Sequence, residues 1–359
     1  MPDQDFQQLL QQLSDAPGPP GAEDEIRRIV RRTLEGAGSI HYDRLGSLIC
    51  EQPGTSETPR VILDSHLDEV AFMVQAISEA GRMPFVPLGG WWSHVLLAQP
   101  VEIITEQGPV PGVVGSTPPH HLSAAQREKL LPIEKMYIDV GASDRAEVEA
   151  LGIRLGDPIV PQTRFREMAV EGVVAGKAMD NRVGVCLMCD ALLALSKREH
   201  PNRVIGVGAV QEELGLRGAG TTTELTRPDV AIVLECAPAD DLPGESLPQG
   251  VLGKGPQVRL FDPTALANRR LVRFVEEVAD KCGLPIQPAV RRTGGTDAGA
   301  IHKSGQGVPT VVIAVPARYI HSHISLLQWA DYRTAAKLVL ELVLRLDADR
   351  VASFTRFDT

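Results

Sequence analysis

Apolar runs of strand length alternate with runs of helical period through most of the chain, and that alternation leaves few folds open. VILDSHLDEVAFMV reads as a buried strand and its exit, VGVCLMCDALLALSKRE as a helix, and RVIGVGAV and VAIVLE as strands. LANRRLVRFVEEVADKCG follows as a helix, PTVVIAV as a strand and LQWADYRTAAKLVLELVLRLDA as a closing helix. Such a rhythm predicts an α/β protein with a mostly parallel central sheet and helices on both faces. Ahead of it, MPDQDFQQLLQQLSD carries an amphipathic pattern in Phe6, Leu9, Leu10 and Leu13 and is stopped by APGPPG, after which AEDEIRRIVRRTLEGAG makes a second helix.

Residues from about 72 to 167 interrupt the alternation. PVEIIT, VPGVVGS, KMYIDVG and DPIVPQ are short and punctuated by Gly and Pro, which predicts a small β-rich domain inserted into the α/β one. One short helix, SDRAEVEALG, falls within it.

Composition narrows the classes of function. A formal charge of -10 argues against nucleic-acid or anionic-membrane partners, which need basic patches to displace counterions. The five cysteines, Cys50, Cys186, Cys189, Cys236 and Cys282, have no disulfide-framework spacing, so a reducing, cytoplasmic setting is expected. Cys186 and Cys189 form a CxxC inside an apolar helical run and read as core rather than as a zinc knot. The N-terminal stretch lacks the basic and apolar regions of a signal peptide, and no run of about eighteen apolar residues predicts a membrane span.

The residues that offend the apolar runs fall at similar topological places. His66 and Asp68 follow VILDS, Asp180 sits in GKAMDN before a helix, Glu212 and Glu213 close RVIGVGAV, Glu235 closes VAIVLE, and His321 follows VIAVPARYI. Singly each has an ordinary explanation: a core histidine, a turn, a helix N-cap at Asp180, an arginine partner for Glu235, and a loop at His321 in which His323 is an equally good ligand. Ligands in open α/β sheets bind at the carboxyl ends of strands, so these residues are expected to share one crevice. Clustered carboxylates need a cation, and the set predicts two divalent metal ions.

The adjacent glutamates acquire a reading on that basis. Neighbours on a strand face opposite ways, but where a strand ends the LGLRGAG stretch lets both turn to the crevice. Glu213 is then free to ligate while Glu212, unligated beside the metal, serves as proton acceptor and donor for a hydrolysis.

SHLDEVAFMV, GKAMDNRVGV, VQEELGLRGA and GGTDAGAIHKSGQGVPTVVIAVPARYIHS resemble the hallmark blocks of the TET-type metalloaminopeptidases, which include glutamyl and deblocking aminopeptidases and relatives once labelled endoglucanases. APGPPGAEDEIR, GGWW, PPHHLS and YIDVGASDRAEVEALGIRLGD extend the resemblance over nearly the whole chain. It implies a three-layer peptidase sandwich formed by residues 1–68 and 168–359, with a barrel-like dimerisation insert at 69–167. By the same resemblance His66, Asp180 and Glu235 hold one metal, Asp180 bridges, and Glu213 with His321 holds the second; His321 occupies the histidine of the RYxHS block. Asp68 orients the His66 imidazole and Glu212 is the general base. Glu235 stands where the relatives more often carry aspartate.

The implied reaction is removal of the N-terminal residue of short peptides, with zinc or cobalt as the metal and a tetrahedral dodecamer as the assembly. A metal-dependent deacylase or amidohydrolase would use the same groups. A glycoside hydrolase would use paired carboxylates without metal, and 4% aromatic content offers little for sugar stacking. A non-catalytic scaffold would have a degenerate site, whereas Glu212 is intact.

Overall fold

The structure, a computed structural model, describes residues 3–357. At its centre four strands lie side by side in the order Arg203–Ala209, Arg60–His66, Val230–Pro238 and Thr310–Arg318, all parallel. Burial is almost unbroken along them, as it must be where helices cover both faces. The flanks are antiparallel. Leu48–Gln52 and Ser39–Tyr42 extend one side; Ser325–Gln328, Val173–Gly176 and Arg166–Glu167 extend the other, and Gln257–Asp262 also pairs with Thr310–Arg318. The result is a mixed twelve-stranded sheet with a parallel heart.

Side-chain alternation assigns the two faces. Val61, Leu63, Ile232 and Leu234 pack with the helices Asp3–Asp15, Met179–Leu195, Arg269–Cys282 and Trp329–Val343. Ile62, Val207, Ala231 and Val233 face the opposite layer, built on Arg217–Thr226 and Ala298–Ile301. Cys186 and Cys189 are free thiols buried on the central helix, as their apolar setting implies.

The sequence VILDSHLDEVAFMV divides between two sheets: Arg60–His66 belongs to the large one and Ala71–Val74 to a second. That second sheet has six strands, all antiparallel, between Ala71 and Pro161, and its own core of Phe72, Val101, Ile103, Ile138 and Ile159. A bridge between Met83 and Ile138 draws its two edges together, curling it toward a barrel. Besides the expected helix, Arg145–Ala150, a second helical turn forms at Ala124–Arg127, where Ser123 and Gln126 make a reciprocal capping box.

Every central strand points its carboxyl end to the same edge. His66, the Gln211–Leu214 turn, Glu235 and the segment after Arg318 therefore meet beside the start of the central helix.

Candidate metal centre

His66, the last residue of its strand, is 2% exposed, and its two ring nitrogens face different partners. Nδ1 lies 3.2 Å from the carbonyl oxygen of Asp68 and 3.4 Å from its Oδ1, so Nδ1 carries the proton and Nε2 is left for the crevice. There Nε2 is 3.2 Å from Asp180 Oδ1, 3.9 Å from Glu235 Oε2 and 4.0 Å from Glu212 Oε2. His321 mirrors this arrangement. Its Nδ1 donates to the Gly90 carbonyl at 2.8 Å, while Nε2 is 3.4 Å from Asp180 Oδ2 and 3.5 Å from Glu213 Oε1.

Asp180 thus offers one oxygen to each histidine. It is not a helix cap: its side chain caps nothing, its backbone (φ -83°, ψ 106°) is non-helical, and its peptide bond to Asn181 is cis. The Asn181 side chain donates to Leu234 O and accepts from Gly184 N–H, tying the start of the helix to the strand that carries Glu235.

The paired glutamates lie on a single 3-10 turn, Glu212–Leu214, entered through Gln211 at φ 56°. The strand has ended, so its alternation no longer separates them. The turn is held from beneath by Asp68, fully buried, which accepts Glu212 N–H at 3.0 Å and Glu213 N–H at 3.1 Å. From above, Gly89 (φ 89°) passes so close that a Cβ would stand 3.0 Å from Glu213 Oε2, which leaves no room for a side chain there.

Burial sets the electrostatics. It pushes Glu212 well above the usual carboxylate range, Glu213 to about 7 and Glu235 to about 8, against the lowering influence of the nearby histidines. Burial would raise Asp180 too, but hydrogen bonds from His321 and His66 hold it well below its ordinary value. Burial works to lower the histidines, and the surrounding carboxylates overcome it, taking His321 to about 10 and His66 well above its usual value. A protein-only site of this kind neutralises its acids with protons, and divalent metal would replace those protons.

The donor set fits a metal. His66, Asp180 and Glu213 each offer one ligand atom, and the three atoms all lie within 4.8 Å of one another. Glu235 and His321 join the same group through the distances above. His323, left open by sequence, stands apart: it is buried, and neither ring nitrogen has a partner.

Two further clusters escaped the sequence reading. Asp64, two residues before His66 on the same strand face, is completely buried with Asp297 of the GGTDAG block. Burial raises both, Asp64 to about 7 and Asp297 well above its usual value, and with both ionised neither finds a donor. A hydrogen bond between two carboxyls requires one of them to keep its proton. The second cluster is ionic. Glu69, 1% exposed, accepts Lys177 Nζ at 2.6 and 2.8 Å, Arg182 Nη2 at 3.1 Å and Gly18 N–H at 3.0 Å. The signal for it was two cations within three residues of Asp180 in GKAMDNR, inside an otherwise apolar environment.

The chain is similar to known aminopeptidases over nearly its whole length. A crystal structure of a TET aminopeptidase from a marine-sediment Thaumarchaeota archaeon is 41% identical, with a TM-score of 0.95 over 98% of this chain and 100% of that one. The glutamyl aminopeptidase of Lactococcus lactis is 33% identical over 94% of this chain and 95% of its own. The TET1 peptidase of Pyrococcus horikoshii, described as assembling into a tetrahedron or a large octahedral shell, is 30% identical, with a TM-score of 0.84 over 95% and 100% of the two chains. The family model for M42 glutamyl aminopeptidases matches residues 46–338, and the chain belongs to that family.

Proposed function

We propose that this protein is a two-metal aminopeptidase that removes the N-terminal residue of short peptides. The observation that carries the reading is the division of the Asp180 carboxylate, Oδ1 toward His66 and Oδ2 toward His321. His66, Asp180 and Glu235 would hold one ion, and Asp180, Glu213 and His321 the other; zinc or cobalt suits these N and O donors. When bound, the ions would lower the pKa of water and polarise the scissile carbonyl.

The chain's own residues supply the rest. Glu212 lies beside the ligands with a carboxylate that burial makes basic, suited to take a proton from the attacking water at Oε2 and return it to the leaving amine. Asp68 holds the Glu212–Glu213 turn through two backbone amides and leaves His66 Nε2 to the metal side. The surrounding carboxylates favour the protonated α-amine of a free N-terminus.

The setting proposed is the cytoplasm, which suits five free cysteines; no helix among the described residues is long and apolar enough to cross a membrane. The insert, expected at residues 69–167 and carrying the sheet from Ala71 to Pro161, while Arg166–Glu167 already belongs to the large sheet, would pair two subunits, and such dimers would build a tetrahedral dodecamer, the reading supported by the assembling TET1 relative.

The test is hydrolysis of aminoacyl-nitroanilides, short peptides and their N-acylated forms by chelated protein, with and without added zinc or cobalt. Metal-restored release of free N-terminal residues is expected. Hydrolysis confined to N-acylated substrates would replace this reading with a metal-dependent deacylase.

A further inference from the structure

Beside His321, the Gly90–Trp92 loop and the 319–324 segment line a cavity of about 940 Å³. That size is ordinary for a small-ligand site. His321 lines the cavity and also faces Asp180 and Glu213, so the cavity and the metal centre adjoin at its ring.

The two compartments differ in charge. The metal centre is crowded with carboxylates, whereas the cavity is lined by Arg164, Arg166, His321 and His323 and, among the described residues, by no Asp or Glu. Arg164 is already engaged, its Nη2 3.1 Å from Glu102 Oε1 and its Nη1 bonded to the Asp15 carbonyl. Arg166 has no side-chain hydrogen bond or ion pair among the described residues. His323 is 4% exposed, packs at 5.3 Å from the Trp91 ring, and has both ring nitrogens without a partner. A buried imidazole with no hydrogen bond is expensive unless a ligand or water completes it. Arg166, exposed and unpaired, supplies the positive charge, while burial lowers His323 to about 4 and leaves it a neutral hydrogen-bonding group, so this acid-free cavity offers an anion one cation and one unpaired imidazole.

We propose that this cavity is a carboxylate-binding subsite for the peptide substrate, in which Arg166 pairs with a substrate carboxylate and His323 hydrogen-bonds a polar atom of the same ligand. The inference rests on the aminopeptidase reading. A short peptide is a zwitterion, and this arrangement orients it: amine toward the carboxylates of the metal centre, carboxylate toward the arginine. The carboxylate comes either from the peptide C-terminus or from an acidic side chain beyond the scissile bond.

The experiment uses full-length, metal-loaded protein. KM and kcat are measured for Ala-Ala-Ala against its C-terminal amide, and for Ala-Glu-Ala amide against Ala-Gln-Ala amide, with wild type, Arg166→Ala and Arg166→Lys. At least one carboxylate-bearing peptide is expected to show a KM about tenfold below its neutral counterpart, a ratio that collapses toward one in Arg166→Ala and recovers in part in Arg166→Lys. The first pair reports the C-terminal carboxylate and the second the side chain. Ratios near one in wild type for both pairs, or ratios that Arg166→Ala leaves intact, overturn the proposal.

A binding readout separates this failure from failure of the activity. Two of the three tryptophans, Trp91 and Trp92, wall the cavity, so intrinsic fluorescence is titrated with acetyl-Gly-Gly and with its amide. Saturable quenching by the acid, weakened about tenfold in Arg166→Ala, sustains the subsite even if no peptide is hydrolysed. Equal responses to acid and amide in a protein that hydrolyses peptides overturn the subsite and leave the activity standing.

Discussion

Asp68 Oδ1 accepts the backbone N–H of Glu212 at 3.0 Å, and the same fully buried carboxylate takes the next amide, that of Glu213, on its other oxygen. One side chain therefore sets both the turn carrying the proposed base and, through His66 Nδ1, the orientation of a proposed ligand. Asp68→Asn keeps one acceptor and turns the other into a donor facing an amide. It should weaken metal binding by about 10–100-fold, measured by chelator competition. Metal affinity equal to wild type would detach Asp68 from the site.

Glu212→Gln removes the proton acceptor while preserving shape. Turnover should fall by about two to four powers of ten with metal content unchanged, read by steady-state kinetics beside elemental analysis. A variant of full activity would return the glutamate to a purely structural role.

Glu69 neutralises two buried cations, Lys177 and Arg182, that flank Asp180 in the chain. Glu69→Gln strands both and should destabilise the protein by about 3–5 kcal/mol in denaturant unfolding. Lys177→Met should be milder, because Arg182 and Gly18 N–H still satisfy the carboxylate. Equal effects of the two substitutions would contradict this account.

Protons substitute for metal in the apo site, and that gives stability a pH signature. Glu213 and Glu235 titrate at about 7 and about 8 in the folded state against an ordinary 4.5, so the folded protein retains protons that the unfolded chain releases. Their contribution is complete below about pH 4.5 and is lost as pH rises through those folded values. The Tm of chelated protein should therefore fall from about pH 6 to about pH 9, while metal, which binds deprotonated ligands, widens its own stabilisation over the same range. Calorimetry with and without zinc checks this; a constant gap between the two would count against the ligand set.

The parallel heart of the sheet was readable because burial on both faces writes itself into contiguous runs such as RVIGVGAV and PTVVIAV. The antiparallel flanks were less so. Ser325–Gln328 lies directly against the closing helix at Trp329, and four residues do not establish a period of two beside a strong helical one. Among the site residues, His66, Glu212, Glu213 and Glu235 stood out as polar groups ending apolar runs, although the strand that carries Glu235 continues to Pro238. The choice of His321 over His323 came only from the RYxHS block of the resemblance, since residue type alone does not separate two histidines of one loop, YIHSH.

What the sequence determined by itself was therefore everything encoded over a few residues: strand or helix period, the residues that end each strand, and the type of ligand they can be. Only the tertiary structure decided which of them meet. Asp64 with Asp297, Glu69 with Lys177 and Arg182, and the acid-free cavity shared by Arg166 and His323 join segments more than a hundred residues apart. Their chemistry depends on a separation of a few ångströms, and a sequence carries no record of that distance until the sheet has placed its strands.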